Sequence, residues 1–151
     1  MLLTQILQPS CVKVPLKGKD KQAVISELID LLDEQDLLMD RAVCFEAVLL
    51  RERTRSTAIG SGVAIPHGKC KGVNELVMAM GIMREPVDFG GSDSEGVTII
   101  ILLVSPADRT GPHIQALAKI SRLMLDEQFR QQLKQADSAQ EAYSLIEEKE
   151  R

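Results

Sequence analysis

The stretch Val97-Thr98-Ile99-Ile100-Ile101-Leu102-Leu103-Val104 is apolar at every position but one. A run that does not alternate has no polar face to turn to water, so it predicts a central strand buried on both sides. Ser105-Pro106 ends it, because proline lacks the N–H that a strand ladder needs. Such a strand must be covered above and below, and the chain has material for this at both ends. Upstream, Val24, Ile25, Leu28, Ile29, Leu31 and Leu32 recur at helical spacing and predict a helix over about 20–35, with Asp20 as its cap. A second helix is expected over about 40–52, capped by Asp40, with Val43, Ala47, Val48 and Leu50 on its inner side and Arg51 in its last turn. Downstream, helix resumes at Pro112-His113, since proline is tolerated in a first turn. Two further helices complete the chain, the last opened by the capping-box pattern Ser138-Ala139-Gln140-Glu141.

Shorter strands are expected at 11–14, where apolar and polar residues alternate, at 58–59 and 63–65 on either side of Gly60-Ser61-Gly62, and at 77–83. Helices flanking strands at both ends of the sequence predict an α/β fold: a three-layer sandwich, with a mixed β-sheet flanked by helices on both faces. With 151 residues, no linker, no low-complexity stretch and no internal repeat, a single domain over 1–151 is expected. The formal charge of −4, with both signs mixed along the length, supplies no basic patch, so nucleic-acid binding is not expected. No apolar run nears the roughly 20 residues that span a bilayer, and Met1-Leu2-Leu3-Thr4-Gln5 lacks the features of a signal peptide. A cytoplasmic protein with no membrane insertion is expected. Cys11, Cys44 and Cys70, odd in number and widely spaced, fit free thiols in a reducing compartment. With no Trp, one Tyr and three Phe, aliphatic packing must hold the core.

The two histidines, His67 and His113, each fall where an expected strand gives way to a loop or a helix start. In layered α/β folds ligands gather at such strand ends. Two ordinary loop histidines would give the same pattern. What distinguishes His67 is its setting, Gly60-Ser61-Gly62-Val63-Ala64-Ile65-Pro66-His67-Gly68: proline fixes the turn that presents the ring, and Gly68 leaves the backbone beside it uncluttered. Neutral imidazole offers an unprotonated nitrogen near pH 7 and is a plausible nucleophile toward phosphorus. His113, at a helix start, lies where backbone N–H groups favour an anion and could donate to a phosphoryl oxygen. The guanidinium of Arg51 could clamp phosphoryl oxygens, although a basic residue in a last helical turn is also favourable for the dipole alone. Arg53 and Arg55 share that ambiguity and are expected to face solvent or a partner. Ser56 and Thr57 could offer hydroxyls to the site or serve the entry to the following strand. His67, Cys70 and His113 could in principle ligate zinc, but His67-Gly68-Lys69-Cys70 lacks the second close pair of a structural zinc site.

The stretch from Ser56 to Lys69, Ser-Thr-Ala-Ile-Gly-Ser-Gly-Val-Ala-Ile-Pro-His-Gly-Lys, closely resembles the phosphorylation-site signature of enzyme IIA domains of the fructose/mannitol type in the bacterial phosphoenolpyruvate-dependent phosphotransferase system. Leu50-Arg51-Glu52-Arg53 resembles the family's arginine-bearing helix end, and His113-Ile114 its second active-site histidine. The resemblance implies that His67 accepts phosphoryl from a histidine phosphocarrier protein, that His113 and Arg51 help neutralise the bound group, and that no metal, nucleotide or other cofactor is required. Within the family the chain looks most like the nitrogen-regulatory branch, which implies regulatory target proteins. A sugar-specific enzyme IIA handing phosphoryl to an enzyme IIB is the alternative, and a module that keeps only the fold is a third.

Overall fold

The computed structural model describes residues 1–91 and 96–151. The apolar run becomes β6 (Val97–Pro106), buried at every residue and central to a mixed sheet. On one side it pairs antiparallel with β5 (Val77–Val87), which pairs parallel with β1 (Leu7–Lys13) at the edge. Pro9 falls between Leu7 and Val12, where the register of β1 against β5 shifts, a place in an edge strand that can do without a ladder N–H.

On its other side β6 meets two short strands in succession. β3 (Val63–Ala64) runs parallel to it at Ile99 and Ile100, and β4 (His67–Cys70) continues alongside Leu103 to Pro106. Pro66 separates the two pieces. It has no N–H to give, yet its carbonyl still accepts from the Leu103 N–H at 3.0 Å, so the interrupted strand stays on the sheet. β2 (Ala58–Gly60) folds back antiparallel on β3 through Gly60-Ser61-Gly62. The glycines there have φ of +93° and +79°, which side chains strongly disfavour, so the turn accounts for both.

Helices α1 (Lys21–Glu34) and α2 (Arg41–Thr54) pack on each other and on the sheet, α1 over β1 and β5, α2 over β4. α3 (Thr110–Leu123) packs on β6, α4 (Glu127–Lys134) on β5 and β6, and α5 (Ala139–Lys149) on β1 and α4. The expected α/β sandwich is the one observed. Asp20 and Asp40 cap α1 and α2 by accepting from the N–H groups of Ala23 and Val43 at 2.8 and 3.2 Å. Ser138 caps α5 through the Glu141 N–H, but the Glu141 carboxylate accepts from Asp137 rather than from the cap residue itself.

Three expectations are corrected. In α2, Val43 and Leu50 are 41% and 65% exposed, and the inward stripe is Cys44, Val48, Leu49 and Glu52. A carboxylate stands in register with Cys44 and Val48, so choosing the inner side by hydrophobicity alone selects the wrong face. His67 does not end a strand but opens β4. Gly68 does not leave the backbone uncluttered, because α2 packs against it: a Cβ there would lie 3.0 Å from the Val48 nitrogen and 3.1 Å from the Ala47 carbonyl carbon. Glycine is what lets α2 settle directly on β4.

Candidate functional site

α2, β4 and α3 converge on a cleft of about 410 Å³. α2 contributes Leu50 and Arg51, β4 contributes His67 and Lys69, and α3 contributes His113 and Leu117. The residues singled out from the sequence are therefore neighbours, although 62 positions separate Arg51 from His113 in the chain. Two other hollows, of about 360 and 840 Å³, are lined by neither histidine nor cysteine.

The His67 ring is half-buried, with Nδ1 2.7 Å from the Ile65 carbonyl oxygen. A carbonyl can only accept, so Nδ1 carries the proton and Nε2 keeps its lone pair. Burial pushes the proton affinity of His67 below its ordinary value, and the charges of Arg51 and Lys69 act in the same direction. The Ile65 bond and Glu52 oppose this without overcoming it. The ring is thus neutral near pH 7 and nucleophilic at one defined atom.

His113 lies in the first turn of α3, 4% exposed, with Nδ1 2.7 Å from Oγ of the wholly buried Ser105. Its ring stands edge-on to His67, with centroids 5.4 Å apart and planes inclined at 64°. Burial, followed by the charges of His67 and Lys69, brings its pKa down to about 4. Because the folded protein resists a proton that the unfolded chain accepts near pH 6.5, this group contributes stability above pH 6.5 and loses it as pH falls toward 4. Unfolding titrations between pH 7 and 4 are expected to show a decline on the order of 3 kcal/mol from this site. His113→Asn should flatten that part of the profile, and an unchanged slope would reject the assignment.

Arg51 donates from Nη1 to the Arg55 carbonyl at 2.8 Å, which ties its guanidinium to the end of α2 at the cleft wall. Arg53 and Arg55 are exposed. Ser56 and Thr57 serve the strand entry: Ser56 Oγ donates to the Phe89 carbonyl at 2.7 Å, and Thr57 bonds to Glu52 through both its N–H and its hydroxyl. Cys70 lies on the opposite face of β4 from His67, by strand alternation, with its Sγ 3.6 Å from that of Cys44. Burial, followed by Cys70, pushes the Cys44 thiol up to about 12. Among the described residues no three His, Cys, Asp or Glu side chains stand close enough to share an ion.

Glu52 and Ser105 escape the sequence reading. Glu52 could have been found by its i, i+4, i+8 register with Cys44 and Val48. Ser105 gives no such signal, because it looks like the end of a strand.

The chain matches the family model described as phosphoenolpyruvate-dependent sugar phosphotransferase system, EIIA 2, over residues 5–149. It is 34% identical over 146 residues to a nitrogen regulatory protein of Bradyrhizobium diazoefficiens, covering 97% of this chain and 95% of that one. It is 32% identical over 146 residues to the PTS system fructose-specific EIIABC component of Bacillus subtilis, where it spans 97% of itself but only 23% of that protein. Among solved structures, nitrogen regulatory protein IIA-Ntr from Neisseria meningitidis superimposes with a TM-score of 0.87 at 32% identity, over 95% of this chain and 98% of that one. IIA mannitol from Escherichia coli shares the fold at a TM-score of 0.79 and 20% identity, over 92% and 97% of the two chains. A family match over nearly the whole length, on a sheet that brings the signature histidine to a cleft, places this chain in the EIIA type 2 family of the phosphoenolpyruvate-dependent phosphotransferase system.

Proposed function

We propose that the chain is a phosphoryl carrier that takes a phosphoryl group onto Nε2 of His67 from the phosphohistidine of a histidine phosphocarrier protein, and whose charge state is read by regulatory target proteins. In the transfer an N–P bond forms at Nε2 as the donor's own P–N bond breaks, and the bonding pair stays on the donor's ring nitrogen. The Nδ1 proton remains on His67, where the Ile65 carbonyl supports the positive charge that the ring acquires. His113 donates a hydrogen bond to the transferring group, and Arg51 offsets its negative charge. Phosphoryl transfer depends on positioning and charge stabilisation more than on covalent help from the protein, and this set of groups supplies both. The observation that carries the reading is the engagement of His67 Nδ1 by the Ile65 carbonyl, which leaves Nε2 as the nucleophilic nitrogen of a ring that lines one cleft with His113 and Arg51.

The regulatory role is supported by the end-to-end match to proteins named nitrogen regulatory protein. The Bacillus subtilis fructose-specific EIIABC component favours a second reading, in which phosphoryl passes on to a sugar-specific enzyme IIB. Among the described residues no helix is long and apolar enough to cross a membrane.

Incubation with a phosphorylated histidine phosphocarrier protein should add one acid-labile phosphoryl group per chain. Phosphorus and nitrogen NMR should place it on Nε2 of His67. Phosphoryl on Nδ1, or on another residue, would refute the proposal. Onward transfer to an enzyme IIB supplied in the same reaction would support the sugar-specific role over the regulatory one.

A further inference from the structure

The Ser105 hydroxyl has a partner whose consequence reaches the reacting atoms. Ser105 is wholly buried near the end of β6, opposite Lys69 of β4, and its Oγ lies 2.7 Å from Nδ1 of His113. A hydroxyl has one proton to give, and a buried one needs an acceptor. Among the described residues, the hydrogen bond made by this hydroxyl is the one to His113. If Nδ1 carried the ring proton, Ser105 would accept it and its own buried O–H would be left without an acceptor. If Ser105 donates, both groups are satisfied. The second arrangement is the one the burial selects, because an unpaired buried donor carries the full cost of its desolvation.

We infer that Ser105 is a positioning residue: its O–H donates to Nδ1 of His113, fixes that ring as the tautomer with its proton on Nε2, and so turns an N–H donor toward the face of His67 that takes up phosphoryl. This rests on the proposed reaction only for the role of that donor; where the proton sits is a property of the unmodified protein. The two rings then have complementary arrangements. His67 has its proton on Nδ1, held by the Ile65 carbonyl, and an open Nε2. His113 has its Nδ1 held by Ser105, and its remaining nitrogen is left to the cleft that both rings line. One ring presents a lone pair and the other presents a proton, and each is fixed by a partner on its far side. A neutral His113 in the other tautomer would meet the phosphoryl oxygens with a lone pair, and the contact would be repulsive.

The test reads the proton directly. In protein labelled with nitrogen-15 at histidine, long-range proton–nitrogen correlation near pH 7 should show His113 with Nε2 protonated and Nδ1 unprotonated. Ser105→Ala should allow the Nδ1–H form to appear and should slow phosphoryl uptake by about three- to tenfold, the ratio that one net hydrogen bond supports. Ser105→Thr, which keeps the hydroxyl, should restore the wild-type tautomer. A wild-type His113 protonated on Nδ1 would overturn the inference. So would a Ser105→Ala variant with unchanged tautomer, or with a changed tautomer and a wild-type rate of uptake. If the wild-type chain takes up no phosphoryl group at all, the proposed function fails, while the nitrogen spectra still decide whether Ser105 places the proton.

Discussion

His67→Ala should take up no phosphoryl group from a phosphorylated histidine phosphocarrier protein, while unfolding within a few degrees of the wild type. The first half follows from what remains in the cleft. His113 is the other histidine there, and it is no substitute: it is 4% exposed and its Nδ1 is engaged with Ser105. Lys69 and Arg51 line the same cleft, but an ammonium and a guanidinium are donors with no lone pair to offer phosphorus. The second half follows from the location of His67. Its ring is half-buried at the edge of an open cleft, and the hydrogen bond it makes is a single one to a backbone carbonyl. The lost hydrogen bond is therefore expected to cost no more than about 1.5 kcal/mol. Acid-labile label per chain and thermal unfolding, measured on one preparation, decide both halves. A labelled variant would move the reacting group elsewhere, and an unfolded one would make His67 a structural residue.

The largest effect on stability is expected from Glu52→Ala. Glu52 is 4% exposed, and its carboxylate accepts from the Thr57 N–H at 2.9 Å, from the Thr57 hydroxyl, and from Lys21 at 3.4 Å. Lys21 also donates to the Phe89 carbonyl at 3.0 Å, which Ser56 holds from the other side. One side chain therefore joins the end of α2, the entry to β2, the start of α1 and the segment after β5. Removing it leaves two buried donors of Thr57 without an acceptor, while Lys21, partly exposed, keeps its bond to the Phe89 carbonyl, and a loss of about 2–4 kcal/mol is expected. In a chain of this size that corresponds to a fall in melting temperature of roughly 5–15 °C. Glu52→Gln keeps the volume and one acceptor oxygen and should lose about half as much. Urea unfolding of both variants provides the measurement, and a Glu52→Ala midpoint within error of the wild type would show that the network is dispensable.

The contrast between these residues shows what a single sequence can disclose. β6 was legible because an unbroken apolar run has few other uses, and α1 because its stripe at Val24, Ile25, Leu28, Ile29 and Leu32 is wholly apolar. α2 was legible as a helix but not in its orientation, since a buried carboxylate lies on its inner face. β4 could not be read at all. His67-Gly68-Lys69-Cys70 has neither alternation nor β-branched residues, and only its pairing with Leu103 to Pro106 makes it a strand. At the candidate site, His67 stands out by its frame of glycines and proline, and Arg51 and His113 by their places at helix ends, and the fold brings the three to one cleft. That His113 would be buried could not be foreseen, because its partner Ser105 is eight positions away on a different element. Contacts across elements are made by tertiary packing, and local spacing carries no trace of them.

The interruption at Pro66 bears on how partners would share His67 in the proposed reaction. Because β4 rejoins β6 immediately after the break, the imidazole is mounted on the sheet itself and has no arm on which to swing from one partner to another. In the proposed reaction a donor and an acceptor would both come to the same opening, and the presence of one would exclude the other. A carrier of this kind would work as a single berth with a queue, in which each visit must end before the next begins. On that reading, an abundant partner that lingered on the uncharged form would slow charging simply by occupying the berth.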